Sequence, residues 1–164
     1  MSYISARAWF SPCKQYRYCL HRRWAKDRGS VLFIGLNPST ADHLRDDPTI
    51  RRCVRFARDW GYGAMEVVNL FAYRATFPAD LKQAPQPIGR LNDRWIKRAM
   101  GRCDLAIACW GNDGDFQQRG AAIRERFSTL HCLAMNRSGH PSHPLYLKAE
   151  LMPIPLQTFS AQVT

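Results

Sequence analysis

Four short apolar segments, separated by helical stretches, constrain this chain more than any other feature. They are Val31–Leu36, Met65–Phe71, Leu105–Trp110 and Leu130–Met135. The first and third are almost unbroken apolar runs, the pattern of strands covered on both faces of a parallel sheet. After the first, Asp47 can cap a helix with Pro48 at its first position. Ile50, Val54 and Ala57 form its apolar stripe, with Cys53 beside it, and Gly61 ends it. Ile88, Leu91, Trp95, Ile96 and Ala99 mark a second helix, and a third runs from about Asp115 to Phe127. Such alternation predicts an α/β fold with right-handed crossovers.

The chain is read as one domain, 1–164, with an α/β core over 30–150 and a basic N-terminal segment over 1–29. In that segment Tyr16 and Tyr18 alternate with Arg17, as in an edge strand. Pro78 to Pro87, with three prolines, reads as a long loop. No apolar run approaches the roughly 20 residues needed to span a bilayer, so no membrane association is expected. The N-terminus lacks an apolar signal core, so a cytoplasmic location is expected. Six cysteines occur without a C-x-x-C pair. Cys53, Cys103, Cys109 and Cys132 fall inside strand or helix patterns and read as small core residues.

The charge is lopsided: 24 basic residues against 13 acidic ones, a net charge of +11, with 19 arginines among the basic residues. Guanidinium pairs bidentately with phosphate, so this balance points to nucleic acid, against a merely soluble basic protein as the alternative.

Ligands of open α/β sheets bind beyond the carboxyl ends of the strands. After the first apolar segment come Gly35, Leu36, Asn37, Pro38, Ser39, Thr40, Ala41 and Asp42. Gly35 permits close backbone approach, and Asn37 offers an amide for a water or a ligand edge. Ser39 and Thr40 can hold phosphate, or Ser39 can cap a turn. Neither G-x-G-x-x-G nor a P-loop is present, which disfavours dinucleotide and triphosphate chemistry. Asn69 interrupts the second segment; it either makes a structural hydrogen bond or reads a base edge through donor and acceptor together. The third segment leads to Trp110, Gly111 and Asn112. The fourth leads to Asn136, Arg137, Ser138, Gly139, His140, Pro141, Ser142, His143, Pro144, Leu145 and Tyr146. His140 and His143 lack a third metal ligand nearby, so no metal is expected. A neutral histidine aimed at a ligand oxygen is the better reading.

These residues resemble the uracil-DNA glycosylase superfamily. Gly35-Leu36-Asn37-Pro38 resembles its water-activating turn, closest to the mismatch-specific branch. Val67-Val68-Asn69-Leu70 resembles its base-reading strand, Cys109-Trp110-Gly111 its third strand end, and His140-Pro141-Ser142 its histidine loop with a leucine wedge. The chain also resembles a bacterial and phage family known only as a domain of unknown function. It shares with that family Asn-Pro-Ser-Thr-Ala-Asp, Asn-Leu-Phe-Ala-Tyr-Arg-Ala-Thr and His-Pro-Leu-Tyr-Leu, the last at 143–147.

The glycosylase resemblance implies a three-layer sandwich around a central, mostly parallel four-stranded sheet. It implies a monofunctional DNA glycosylase that flips a damaged, mismatched or modified pyrimidine and needs no cofactor. Asn37 would position water, His140 would donate to the leaving base, and Asp42 or Asp46 could supply a carboxylate. Asn69 would read the base, with Gly35 beside it and Phe71, Tyr73 or Phe56 as stacking candidates. Ser39, Thr40, Arg51, Arg137, Ser138 and Ser142 would meet DNA, and Leu145 or Tyr146 would fill the vacated stack. The expected partner is DNA, single- or double-stranded, met by a monomer. The alternatives are a non-catalytic nucleic-acid-binding module and a hydrolase of small nucleotides or nucleosides.

Overall fold

The computed structural model describes residues 2–162. Its strands are β1 (Ser5–Phe10), β2 (Arg17–Arg23), β3 (Ser30–Gly35), β4 (Ala64–Asn69), β5 (Leu105–Ala108), β6 (His131–Cys132) and β7 (Ile154–Pro155). Its α-helices are α1 (Pro48–Asp59), α2 (Pro78–Gln83), α3 (Asn92–Arg102) and α4 (Arg119–Arg126). The strands form one mixed sheet in the order β1-β2-β4-β3-β5-β6-β7. The four apolar segments supply its parallel centre, β4-β3-β5-β6.

The sheet therefore has seven strands rather than four. The N-terminal segment is an antiparallel hairpin that pairs through β2 with β4, and β7 pairs antiparallel with β6. β2 is an inner strand, with β1 outside it. Its charged residues hid it: Arg17 and Arg22 are 2% and 1% exposed. Helices cover both faces. Ile50, Cys53, Val54, Phe56 and Ala57 of α1 pack on Val31, Phe33, Met65 and Val67. Ile96 and Ala99 of α3 and Ile123 of α4 pack on Leu32, Ile34, Val68 and Ala108 on the other. Each fully buried Val, Leu, Ile, Phe or Met among them contributes about 1.5–3 kcal/mol of transfer free energy.

Local chemistry sets the helix boundaries. Asp47 caps α1 by accepting from Ile50 N at 2.9 Å, and Gly61 follows its end at φ +88°. Pro78 opens α2 inside the segment expected to be a loop, since a proline at the first helical position gives up no hydrogen bond. The third expected helix is broken. Residues 112–118 form a 3₁₀ segment, and Gln117 and Gln118 take positive φ before α4 begins. Gly114 and Gly120 lie against the Trp110 indole, where a Cβ would collide at either position.

One irregularity decides where Arg17 goes. Trp9 faces Cys19 and Phe10 faces Arg17, so Tyr18 has no partner across the hairpin and forms a β-bulge. Tyr18 stacks on Trp95 of α3, and Cys19 joins the same side's core. Arg17 is thereby returned to the α1 side, beside Phe33 and Cys53.

Candidate functional site

A cavity of about 580 Å³ opens at the carboxyl ends of β3, β4 and β5. Its wall takes Gly35 to Thr40 from the loop after β3, Asp47 to Ile50 from the start of α1, and Asn69 from β4. Cys109 to Asp113, Asn136 and His143 to Leu145 complete the far side. The hairpin braces the loop over 36–47. Arg17 Nη1 donates to Ala41 O at 3.0 Å. Arg22 donates to Asp46 Oδ1 at 2.9 Å and to the carbonyls of Asp42 and Arg45.

Asn69 is 3% exposed and lines the cavity. Its Nδ2 is buried without a hydrogen-bond partner, which is costly for an amide unless a ligand supplies an acceptor. Its Oδ1 lies against Gly35, where a Cβ would stand 2.7 Å away. The turn behind it is pinned by Asn92 Nδ2, donating to Asn69 O at 2.8 Å and Leu70 O at 3.1 Å. Arg119 donates to Leu70 O as well. Asn92, in the Pro-Ile-Gly-x-x-Asn-Asp stretch at 87–93, is fully buried, and the sequence assigned it no role.

The Asn37 amide nitrogen donates to Pro38 O at 3.1 Å and Ala75 O at 2.8 Å. Both of its protons have acceptors, and Oδ1 is left as the acceptor for a water. Asp42 is outside the cavity wall. Its Oδ1 accepts from Leu44 N and Arg45 N at 2.8 Å, and these bonds hold the carboxyl below its ordinary range. Asp46 pairs with Arg22 and accepts from Tyr3 Oη. Asp47, one residue further on, does line the cavity, as does Asp113 on the far side, whose carboxylate pairs with Lys82 at 2.7 Å.

Of the two loop histidines, His143 lines the cavity and His140 does not. His143 Nδ1 accepts from Leu145 N at 3.2 Å, so the neutral ring carries its proton on Nε2. Burial lowers its pKa below the ordinary 6.5, which keeps the ring neutral at pH 7. The Cys109 thiol is also in the wall, but burial pushes it up to about 12, out of the range of a nucleophile.

The remaining expected residues divide. Gly35, Ser39, Thr40 and Leu145 line the cavity. Phe71 is wholly buried against Phe116, and Phe56 packs on Trp60. Tyr73 packs edge-on against Tyr16. None of these three rings lines the cavity, whose one indole is Trp110. Ser138 Oγ donates to Asn112 Oδ1 at 2.6 Å and Asn136 Nδ2 to the same oxygen at 2.8 Å, tying the two loops together, while Ser142 Oγ donates to Asn136 Oδ1 at 2.5 Å within its own loop. Arg51 donates to Asp46 O on the exposed face of α1, Arg137 is exposed, and Tyr146 is 89% exposed beside Leu145. Among the described residues no three His, Cys, Asp or Glu side chains cluster as a metal site would need. No helix among them is long and apolar enough to cross a membrane.

Fold and site together define an α/β protein with a cavity at the carboxyl edge of its parallel strands. The chain belongs to the family described as protein of unknown function (DUF1643), whose model matches residues 17–145. The matched span begins at Arg17 and ends at Leu145, both in the cavity wall. No curated protein and no solved structure matches the chain.

Proposed function

We propose that the protein hydrolyses the N-glycosidic bond of a pyrimidine nucleotide in DNA, as the resemblance to the uracil-DNA glycosylase superfamily implies. The observation that carries this is the unpartnered Asn69 amide, buried in a cavity of nucleotide size at the carboxyl ends of the strands. A pyrimidine edge offers that amide both an acceptor and a donor. The His143 Nε2 proton serves the developing charge on the base oxygen, the role the sequence reading gave to His140. Asn37 Oδ1 orients a water, and Asp47 accepts its proton. The water oxygen bonds to the sugar C1′ as the bond to the base nitrogen breaks, and the base leaves with the bonding pair. Asn37 alone would be a feeble base, so the carboxylate at the start of α1 supplies what an amide cannot.

Base release from single- and double-stranded oligonucleotides carrying uracil, mismatched thymine, and oxidised, hydroxymethylated or glycosylated pyrimidines tests the reading. Release should fall about 100-fold or more in His143→Ala, the scale of a lost oxyanion donor. It should also fall in Asn37→Ala. Release of no base from any member, with salt-sensitive DNA binding intact, would favour the non-catalytic binding module instead.

A further inference from the structure

We infer that Arg17 forms a phosphate subsite inside this cavity, holding a phosphate of the nucleotide whose base meets Asn69; the inference rests on the reading of the cavity as a nucleotide site. Three arginines are buried among the described residues, and two are paired. Arg22 meets Asp46 at 2.9 Å, and Arg119 meets Asp93 at 2.8 Å. Arg17 forms no ion pair. Its Nη1 has one carbonyl acceptor, its Nε is buried with no partner, and its side chain lines the cavity. A guanidinium without a counter-ion is expensive to bury, and an anion delivered by the ligand would balance it. Desolvation lowers its pKa only to about 10, so the group is cationic at pH 7.

The surroundings select phosphate over a planar carboxylate. The hydroxyls of Ser39, Thr40 and Thr49 come from two other elements, line the same cavity, and have no hydrogen bond in the structure. Together with the guanidinium they offer donors in several directions, which suits a tetrahedral oxyanion. Asp47 shares the wall, but its Oδ1 is engaged in capping α1 and it lies beyond ion-pair distance of Arg17. Register places the subsite next to the base-reading amide. Leu20 faces Val67, and Arg17 N donates to Ala72 O, so Arg17 flanks the end of β4 that carries Asn69. The bulge at Tyr18 is what turns Arg17 to this side.

The phosphate could belong to a free mononucleotide or to the DNA backbone, and calorimetric titration separates the sources. The probes are thymidine, deoxyuridine and deoxycytidine, their 5′-monophosphates, and a short single-stranded oligonucleotide with a phosphate or a neutral methylphosphonate 5′ of the target nucleotide. The wild-type protein should bind a phosphorylated form at least about tenfold more tightly than its neutral counterpart. A preference among the mononucleotides names a small substrate; one confined to the oligonucleotide pair names the backbone. Arg17→Met should erase the preference, and Arg17→Lys should keep part of it. Equal binding of charged and neutral forms by the wild type overturns the subsite, as does binding of neither form or a preference that survives in Arg17→Met. The wild-type comparison decides even if both variants fail to fold. A phosphate preference without base release from any oligonucleotide overturns the hydrolase reading alone; release without a preference overturns the subsite alone.

Discussion

Asn69 and Gly35 act as one unit, because the amide oxygen of the first occupies the space where a side chain on the second would begin. Gly35→Ala is expected to cost about 1–3 kcal/mol through overpacking and to displace the amide. Thermal unfolding and pyrimidine titration of that variant should both move. Asn69→Leu, by contrast, removes a buried unsatisfied donor; it should hold or raise the melting temperature while abolishing ligand binding. His143 adds a pH signature. Its pKa is lower in the folded protein than the ordinary 6.5, so the unfolded chain binds more protons in between. Its contribution to stability is complete above about 6.5 and is lost as pH falls through the folded value. Melting temperature against pH should therefore rise less steeply toward neutrality in His143→Gln than in the wild type.

At the scale of elements, α1 shows how one residue serves two ends. Asp47 caps the helix and presents a carboxylate to the cavity. Asp47→Ala should lose about 1 kcal/mol of stability together with base release; Asp47→Asn should keep the cap and lose only the release. Unfolding curves and alkali-revealed abasic sites, measured on the same preparations, check both. β3 and β5 were legible in the sequence because burial on both faces leaves nearly unbroken apolar runs, and β4 because its run is interrupted only by Glu66 and Asn69. The hairpin was less so. The alternation around Arg17 reads as an edge strand, yet β2 is an inner strand whose Arg17 and Arg22 find acceptors across the fold at Ala41, Asp42, Arg45 and Asp46. Asn37 and Asn69 were legible for a related reason: a polar residue at a strand end needs a partner. Which loop histidine and which of three nearby aspartates enter the cavity depends on turns of a residue or two, and spacing alone does not fix those.

For the molecule as a whole, 19 arginines and a net charge of +11 predict DNA association governed by counter-ion release. The logarithm of the binding constant should fall linearly with the logarithm of salt concentration, by about 0.7–0.9 per phosphate neutralised. Fluorescence anisotropy across a salt series checks this, and a flat response would argue for a small-nucleotide substrate. The hairpin has a consequence for how the chain comes together. β1 and β2 precede the other strands of the sheet, yet β2 docks on β4, skipping β3 in the order of the sheet. Until residues 64–69 exist, Arg17 and Arg22 have no sheet edge to hold them against their loop acceptors, and water must solvate them. The hairpin thus waits for a later strand, and the cavity receives its cation only once β4 is in place.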